Sequence, residues 1–163
     1  MLRRAAIGAR VRPVVIIPFL LLAAAPARGA DPCPLVAGSD QPVVVTLSVA
    51  DPQGTLVAGA TIEVDHPETK VGLEGEGIKV PKTTISGAPT DAIASANDLG
   101  DRVRVVIARA GELPTNTPLL TLHFERCTGA PAVTSADFSC KVVDAADPTS
   151  NKIPGVGCKV TVP

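Results

Sequence analysis

The chain has no Trp and no Tyr, and only three Phe among 163 residues. Sugar-binding faces stack aromatic rings on pyranose planes, by the same face-on contact that holds nucleic-acid bases. Phe19 lies in the apolar run near the N-terminus, while Phe124 and Phe138 fall in the apolar phase of strand-like runs. Nothing remains for an aromatic platform, so a carbohydrate-binding module of that kind is disfavoured. Histidine is nearly as scarce: His66 and His123 are the only two, and they sit on different runs. Both read as exposed or half-buried strand residues. No G-x-S-x-G elbow and no H-E-x-x-H pair is present. A Ser–His–Asp grouping stays open, because such triads are assembled in space rather than in sequence. Glu74 and Glu76, in LEGEG, read as a solvated loop rather than an acid/base pair. The sequence therefore points to no catalytic residue, and the chain is expected not to be an enzyme.

Metal and cofactor signals are equally thin. No cysteine pair has C-x-x-C spacing, which argues against zinc. Asp144, Asp147 and Asn151 offer oxygen ligands of the kind Ca²⁺ prefers, but their spacing departs from an EF-hand loop and reads as a turn. No metal site and no cofactor is expected.

The first 29 residues read as an address. Arg3, Arg4, Arg10 and Arg12 make a basic region, Val14 to Ala25 an apolar one, and small residues follow at Ala25, Ala27, Gly29 and Ala30. This is the layout of a secretory signal peptide, with cleavage expected after Ala27 or Gly29. A membrane anchor needs about 20 apolar residues; this run is shorter and contains Pro18. With no second apolar stretch, the mature chain is expected to carry no membrane span and to be secreted, periplasmic or held at the cell surface. Removing residues 1–29 takes away five Arg and no acid, leaving 10 basic against 16 acidic residues, a net charge of −6. An acidic chain is a poor partner for phosphate backbones, so nucleic acid is excluded as a partner. Residues 30–163 suffice for a single domain with one core.

That region is rich in Val, Thr, Ala, Gly and Pro, an all-β composition. Strand-like runs cover Pro42–Val49, Gly59–His66, Gly77–Val80, Arg102–Ala108, Leu119–Glu125, Phe138–Val143 and Cys158–Val162. Two of them alternate strictly. Val103, Val105 and Ile107 point one way and Arg102, Arg104 and Ala108 the other; Leu120, Leu122 and Phe124 alternate with Thr121, His123 and Glu125. Period-2 alternation means a sheet with one dry and one wet face, hence a sandwich rather than an α/β core. Turn signals separate the runs at Asp51-Pro52-Gln53-Gly54, Asn97-Asp98-Leu99-Gly100 and Asp147 to Asn151. Ala88–Ala96 is the one stretch compatible with a short turn of helix, weakened by Pro89.

Cys33, Cys127, Cys140 and Cys158 are an even set in an expected oxidising compartment, which implies two disulfides in one of three connectivities. Cys140 is in phase with Phe138 and Val142, and Cys158 with Val160 and Val162. Both should face inward, which permits a Cys140–Cys158 bridge if the last two strands form a hairpin around Thr149.

Taken in order, VVVTLSV (Val43–Val49), VAGATIEVDHP (Val57–Pro67), SANDLGDRVRVVIA (Ser95–Ala108), TPLLTLHFE (Thr117–Glu125) and GCKVTV (Gly157–Val162) resemble a bacterial cohesin module over residues 41–162. Two departures are plain: the family's Tyr-Asp-Pro is Asp65-His66-Pro67 here, and the four cysteines are extra. The resemblance implies a jelly-roll sandwich of about nine strands that binds proteins and has no catalytic role. In such modules a flat sheet face receives a dockerin, a small helical module whose Ca²⁺ belongs to the partner. It also implies that the last strand lies beside and parallel to the first, in the sheet that holds LLTL. On that layout the bridges would be Cys33–Cys158 and Cys127–Cys140. Arg102 and Arg104 lie in the partner face by analogy, and two guanidinium groups suit acidic partner groups. A second resemblance, of ADPQGTLVAGATIEV to the opening of immunoglobulin-like domains, covers only residues 45–65 and implies a structural or adhesion domain. Polysaccharide is the alternative partner, as for a carbohydrate-binding domain without the usual platform.

Overall fold

A computed structural model describes residues 33–52, 54–75 and 80–163. The segment read as a signal peptide, Glu76 and most of the Gly77–Val80 run lie outside the described residues. Nine strands are described: β1 (Leu35–Ser48), β2 (Gly59–Asp65), β3 (Val71–Gly72), β4 (Ile85–Ser86), β5 (Ile93–Asp98), β6 (Arg102–Ala108), β7 (Pro118–Cys127), β8 (Ser139–Ala146) and β9 (Gly157–Thr161). They form two sheets, one ordered β3-β7-β1-β9 with β4 also on β7, the other β5-β6-β2-β8. Every strand pairing is antiparallel. No helix among the described residues is long and apolar enough to cross a membrane.

Alternation explains how the two sheets close on one core. Val103, Val105 and Ile107 of β6 and Ala60, Ile62 and Val64 of β2 are buried from one side; Val43, Val45 and Leu47 of β1 and Leu120, Leu122 and Phe124 of β7 are buried from the other. The two alternating strands of the sequence thus belong to opposite sheets, and the Pro-interrupted stretch between them carries the chain across the core. Pro42 is tolerated within β1 because it precedes Val44, where pairing to β9 begins, so that stretch has a strand on one side only.

The Ala88–Ala96 stretch is not helical. Its second half lies in β5, an edge strand paired to β6 from Ile93↔Ala108 to Asp98↔Val103. The unpaired edge of β6 supplies backbone partners that a short Pro-broken helix lacks, and Ala94 and Ala96 are small enough to pack against the core. The expected turns do form. Asp98 accepts from Gly100 N–H at 2.9 Å, with Gly100 at φ 94°. Asp147 Oδ1 accepts from the N–H groups of Thr149 and Asn151, both at 2.8 Å.

The disulfides are Cys33–Cys127 and Cys140–Cys158, with Cα separations of 5.5 and 5.9 Å. The pairing implied by the cohesin layout is therefore wrong, and so is its strand direction: β9 lies beside β1 but antiparallel, with Val45 opposite Val160 and Leu47 opposite Cys158. The reason is a hairpin centred on Thr149. Ala146 bridges Lys152, three residues to either side of Thr149, and Cys140 and Cys158 lie nine residues to either side. The arms then part, β8 joining β2 and β9 joining β1, so the bridge links the two sheets. Cys33 meets Cys127 because Leu35 at the start of β1 lies opposite Cys127 at the end of β7. Two such bridges suit an oxidising compartment.

Candidate functional site

The outer face of the β5-β6-β2-β8 sheet holds Arg102 and Arg104. Register places its side chains in cross-strand rows. One row runs Asn97, Arg104, Glu63, Lys141; the next runs Ser95, Val106, Thr61, Asp144; the third runs Ile93, Ala108, Gly59, Ala146. The face therefore changes from charged to apolar along the strands. At the apolar end Ile93 is 81% exposed, Val106 45% and Val143 46%. Val143 reaches solvent because β8 bulges opposite the Thr61–Ile62 step, and a bulge re-aims the extra side chain.

The charged end is organised by Glu63, whose side chain is only 4% exposed. Arg104 Nη2 donates to Glu63 Oε1 at 2.5 Å, Lys141 Nζ lies 2.8 Å from Oε2, and Arg102 Nη1 lies 3.7 Å from Oε2. Hydrogen bonds from Lys141, then from Arg104, hold the carboxyl at about 2, below its ordinary 4.5. Arg102 also donates to both carboxylate oxygens of Asp101, at 2.9 Å each. That fork lowers the pKa of Asp101 and raises that of Arg102. Both sequence-predicted face residues are thus on one surface and paired within it. Glu63 went unnoticed in the sequence; its only signal was an acid in the wet phase of a strand, without the register that sets it opposite Arg104.

The other sheet gathers polar groups on its own outer face. His123, on β7, points away from the core as its phase requires. Its Nδ1 is 2.8 Å from Asp40 Oδ1 on β1, and its Nε2 is 2.6 Å from Ser86 Oγ on β4. A carboxylate only accepts, so Nδ1–H donates to Asp40 and Nε2 accepts from the Ser86 hydroxyl. The pairings Pro42↔His123 and Ser86↔Thr121 make both contacts diagonal across neighbouring strands. A cavity of about 240 Å³ adjoins this group, with Asp40, His123, Thr84 and Glu125 in its wall. Asp40 and Ser86 carry no sequence motif, and β4 is two residues long, so the trio was invisible before folding.

His66 is not half-exposed. It is 8% exposed and packs on Phe124 with ring centroids 5.1 Å apart. Neither ring nitrogen has a hydrogen-bond partner. Desolvation lowers its pKa from 6.5, against the opposing charges of Asp98, Glu68 and Asp101. The residues with calcium-like oxygens are otherwise engaged. Asp147 is spent on its own turn, and Asp144 pairs with Lys152 at 2.9 Å. No cluster of metal-ligating side chains occurs among the described residues.

No family model, no curated protein and no solved structure matches the chain.

Proposed function

We propose that the chain is an exported, cohesin-like jelly-roll sandwich that docks another extracellular protein through the outer face of the β5-β6-β2-β8 sheet. The observation that carries this reading is the composition of that face: Ile93, Val106 and Val143 are exposed together beside the Arg102–Arg104–Lys141 cluster. Protein interfaces combine an apolar centre, in which Arg is enriched, with a polar rim. Isolated surface hydrophobics need no explanation, but several on one sheet face do. The charged end, with Arg102, Arg104 and Lys141 paired to Glu63 and Asp101, supplies the polar rim. A dockerin-type module, with its own Ca²⁺, is the proposed partner. The antiparallel β9 departs from the cohesin layout only on the opposite sheet. The docking face is read as non-catalytic.

Calorimetric titration of the exported protein with calcium-loaded dockerin-type modules tests this. Binding is expected with at least one of them, lost on chelation and weakened at least tenfold by Val106→Asp, since a charge in an apolar interface centre is left unpaired. Absence of heat with every module, or equal affinity of wild type and V106D, would remove the reading.

A further inference from the structure

We propose that Asp40, His123 and Ser86 form a second, hydrolytic site, on the sheet opposite the docking face, which cleaves carboxylic esters with good leaving groups. The argument is geometric. A nucleophile, a base and an orienting acid are held at 2.6 and 2.8 Å on three hydrogen-bonded strands. These are the distances and the order of contacts that activate a serine: hydroxyl to Nε2, Nδ1–H to carboxylate. The three strands are hydrogen-bonded neighbours, so register sets the relative placement of the three groups.

The surroundings leave the hydroxyl accessible. Ser86 is exposed, and Gly87 after it has φ 68°, which turns the chain away at once. A side chain at position 87 would be strained there. Thr84, two residues before Ser86, is buried and anchors the segment. The 240 Å³ cavity is walled by His123 and Asp40 but not by Ser86, so it lies on the base and acid side of the trio.

The step balances with water alone. Ser86 Oγ attacks the ester carbonyl carbon as its proton passes to His123 Nε2; the carbonyl C–O bond to the alcohol then breaks, and Nε2–H protonates the leaving oxygen. Water attacks the acyl-serine with its proton going to Nε2, the Ser86 Oγ–C bond breaks, and the proton returns to Oγ. A carboxylic acid and an alcohol leave. His123 and Ser86 are the catalytic residues and Asp40 is a positioning residue. The three groups supply nucleophile activation and leaving-group protonation, sufficient for aryl esters; amides, which demand stronger oxyanion stabilisation, fall outside the proposal.

The test uses the exported protein, p-nitrophenyl acetate and a fluorophosphonate probe. Wild type is expected to hydrolyse the ester about a hundredfold or more above Ser86→Ala and His123→Ala, the usual scale of base catalysis. One fluorophosphonate adduct should map to Ser86 and be absent in H123A. Asp40→Asn should lower kcat and displace the pH–rate profile, because an amide no longer fixes the tautomer, and Asp40→Glu should restore part of it. Equal rates in wild type and S86A, or labelling that spares Ser86, would overturn the proposal. Labelling of wild type decides even if a variant misfolds.

Discussion

His66 lies against Phe124 with the ring centroids 5.1 Å apart and with no hydrogen-bond partner at either nitrogen. An imidazole so placed is tolerated neutral and resists its proton. Its pKa is lowered from 6.5 by desolvation, so in the window below 6.5 the unfolded chain binds more protons than the folded one. Stability is therefore full above pH 6.5 and falls as pH drops through the window, by no more than about 1.4 kcal/mol per pH unit for one proton. Urea unfolding of His66→Leu at pH 7.5 and 5 should show this fall reduced relative to wild type, with little loss at the higher pH. An equal fall in both proteins would show that His66 does not set it.

Glu63 acts at lower pH. Its carboxyl is held at about 2, chiefly by Lys141 and Arg104, against an ordinary 4.5. A depressed acid contributes fully above 4.5 and loses its contribution as pH falls toward 2. Glu63→Gln leaves Arg104 and Lys141 facing a neutral amide, while Arg102 keeps Asp101, so it should destabilise the fold at pH 7 and bring its stability closer to that of wild type at pH 2.5. Denaturant midpoints at the two pH values check this.

The two bridges close loops of different size, with sequence separations of 94 and 18. Loop-closure entropy gives about 4.5 kcal/mol for the longer and about 3 kcal/mol for the shorter. Cys33→Ala/Cys127→Ala should therefore cost more in thermal unfolding than Cys140→Ala/Cys158→Ala. Non-reducing digestion should release the peptides of Cys33 with Cys127 and of Cys140 with Cys158.

Phe124 is 1% exposed and its ring is 5.6 Å from that of Phe138. Phe124→Ala should cost about 3–5 kcal/mol, and Phe124→Leu clearly less, read from the urea midpoint.

Most of the sheet architecture was legible in the alternation. Val103, Val105 and Ile107, and Leu120, Leu122 and Phe124, all face the core as their phase requires. What escaped was whatever depends on another strand. β3, β4 and β5 are short or weakly patterned, and form because β6 and β7 offer them backbone partners. His66 looked like a wet strand end, but it follows Val64 at period 2 and is buried with it. Glu63 and the Asp40–His123–Ser86 trio exist only through register, which one strand cannot reveal about its neighbour. The phase of Cys140 and Cys158 supported their bridge, whereas a topology borrowed from a resemblance misassigned all four cysteines.

The same two bridges determine how the protein would bear a load. Tension applied between Cys33 and Cys158 passes through the first disulfide to Cys127, along the backbone to Cys140, and through the second disulfide to Cys158. The strands between Cys33 and Cys127, and the hairpin around Thr149, lie off that path. Only the 13 residue steps from Cys127 to Cys140 can pay out, roughly 45 Å of chain at full extension. A molecule pulled at Cys33 and Cys158 would lengthen by no more than that contour less the segment's folded span and then hold, with most of both sheets shielded from the pull.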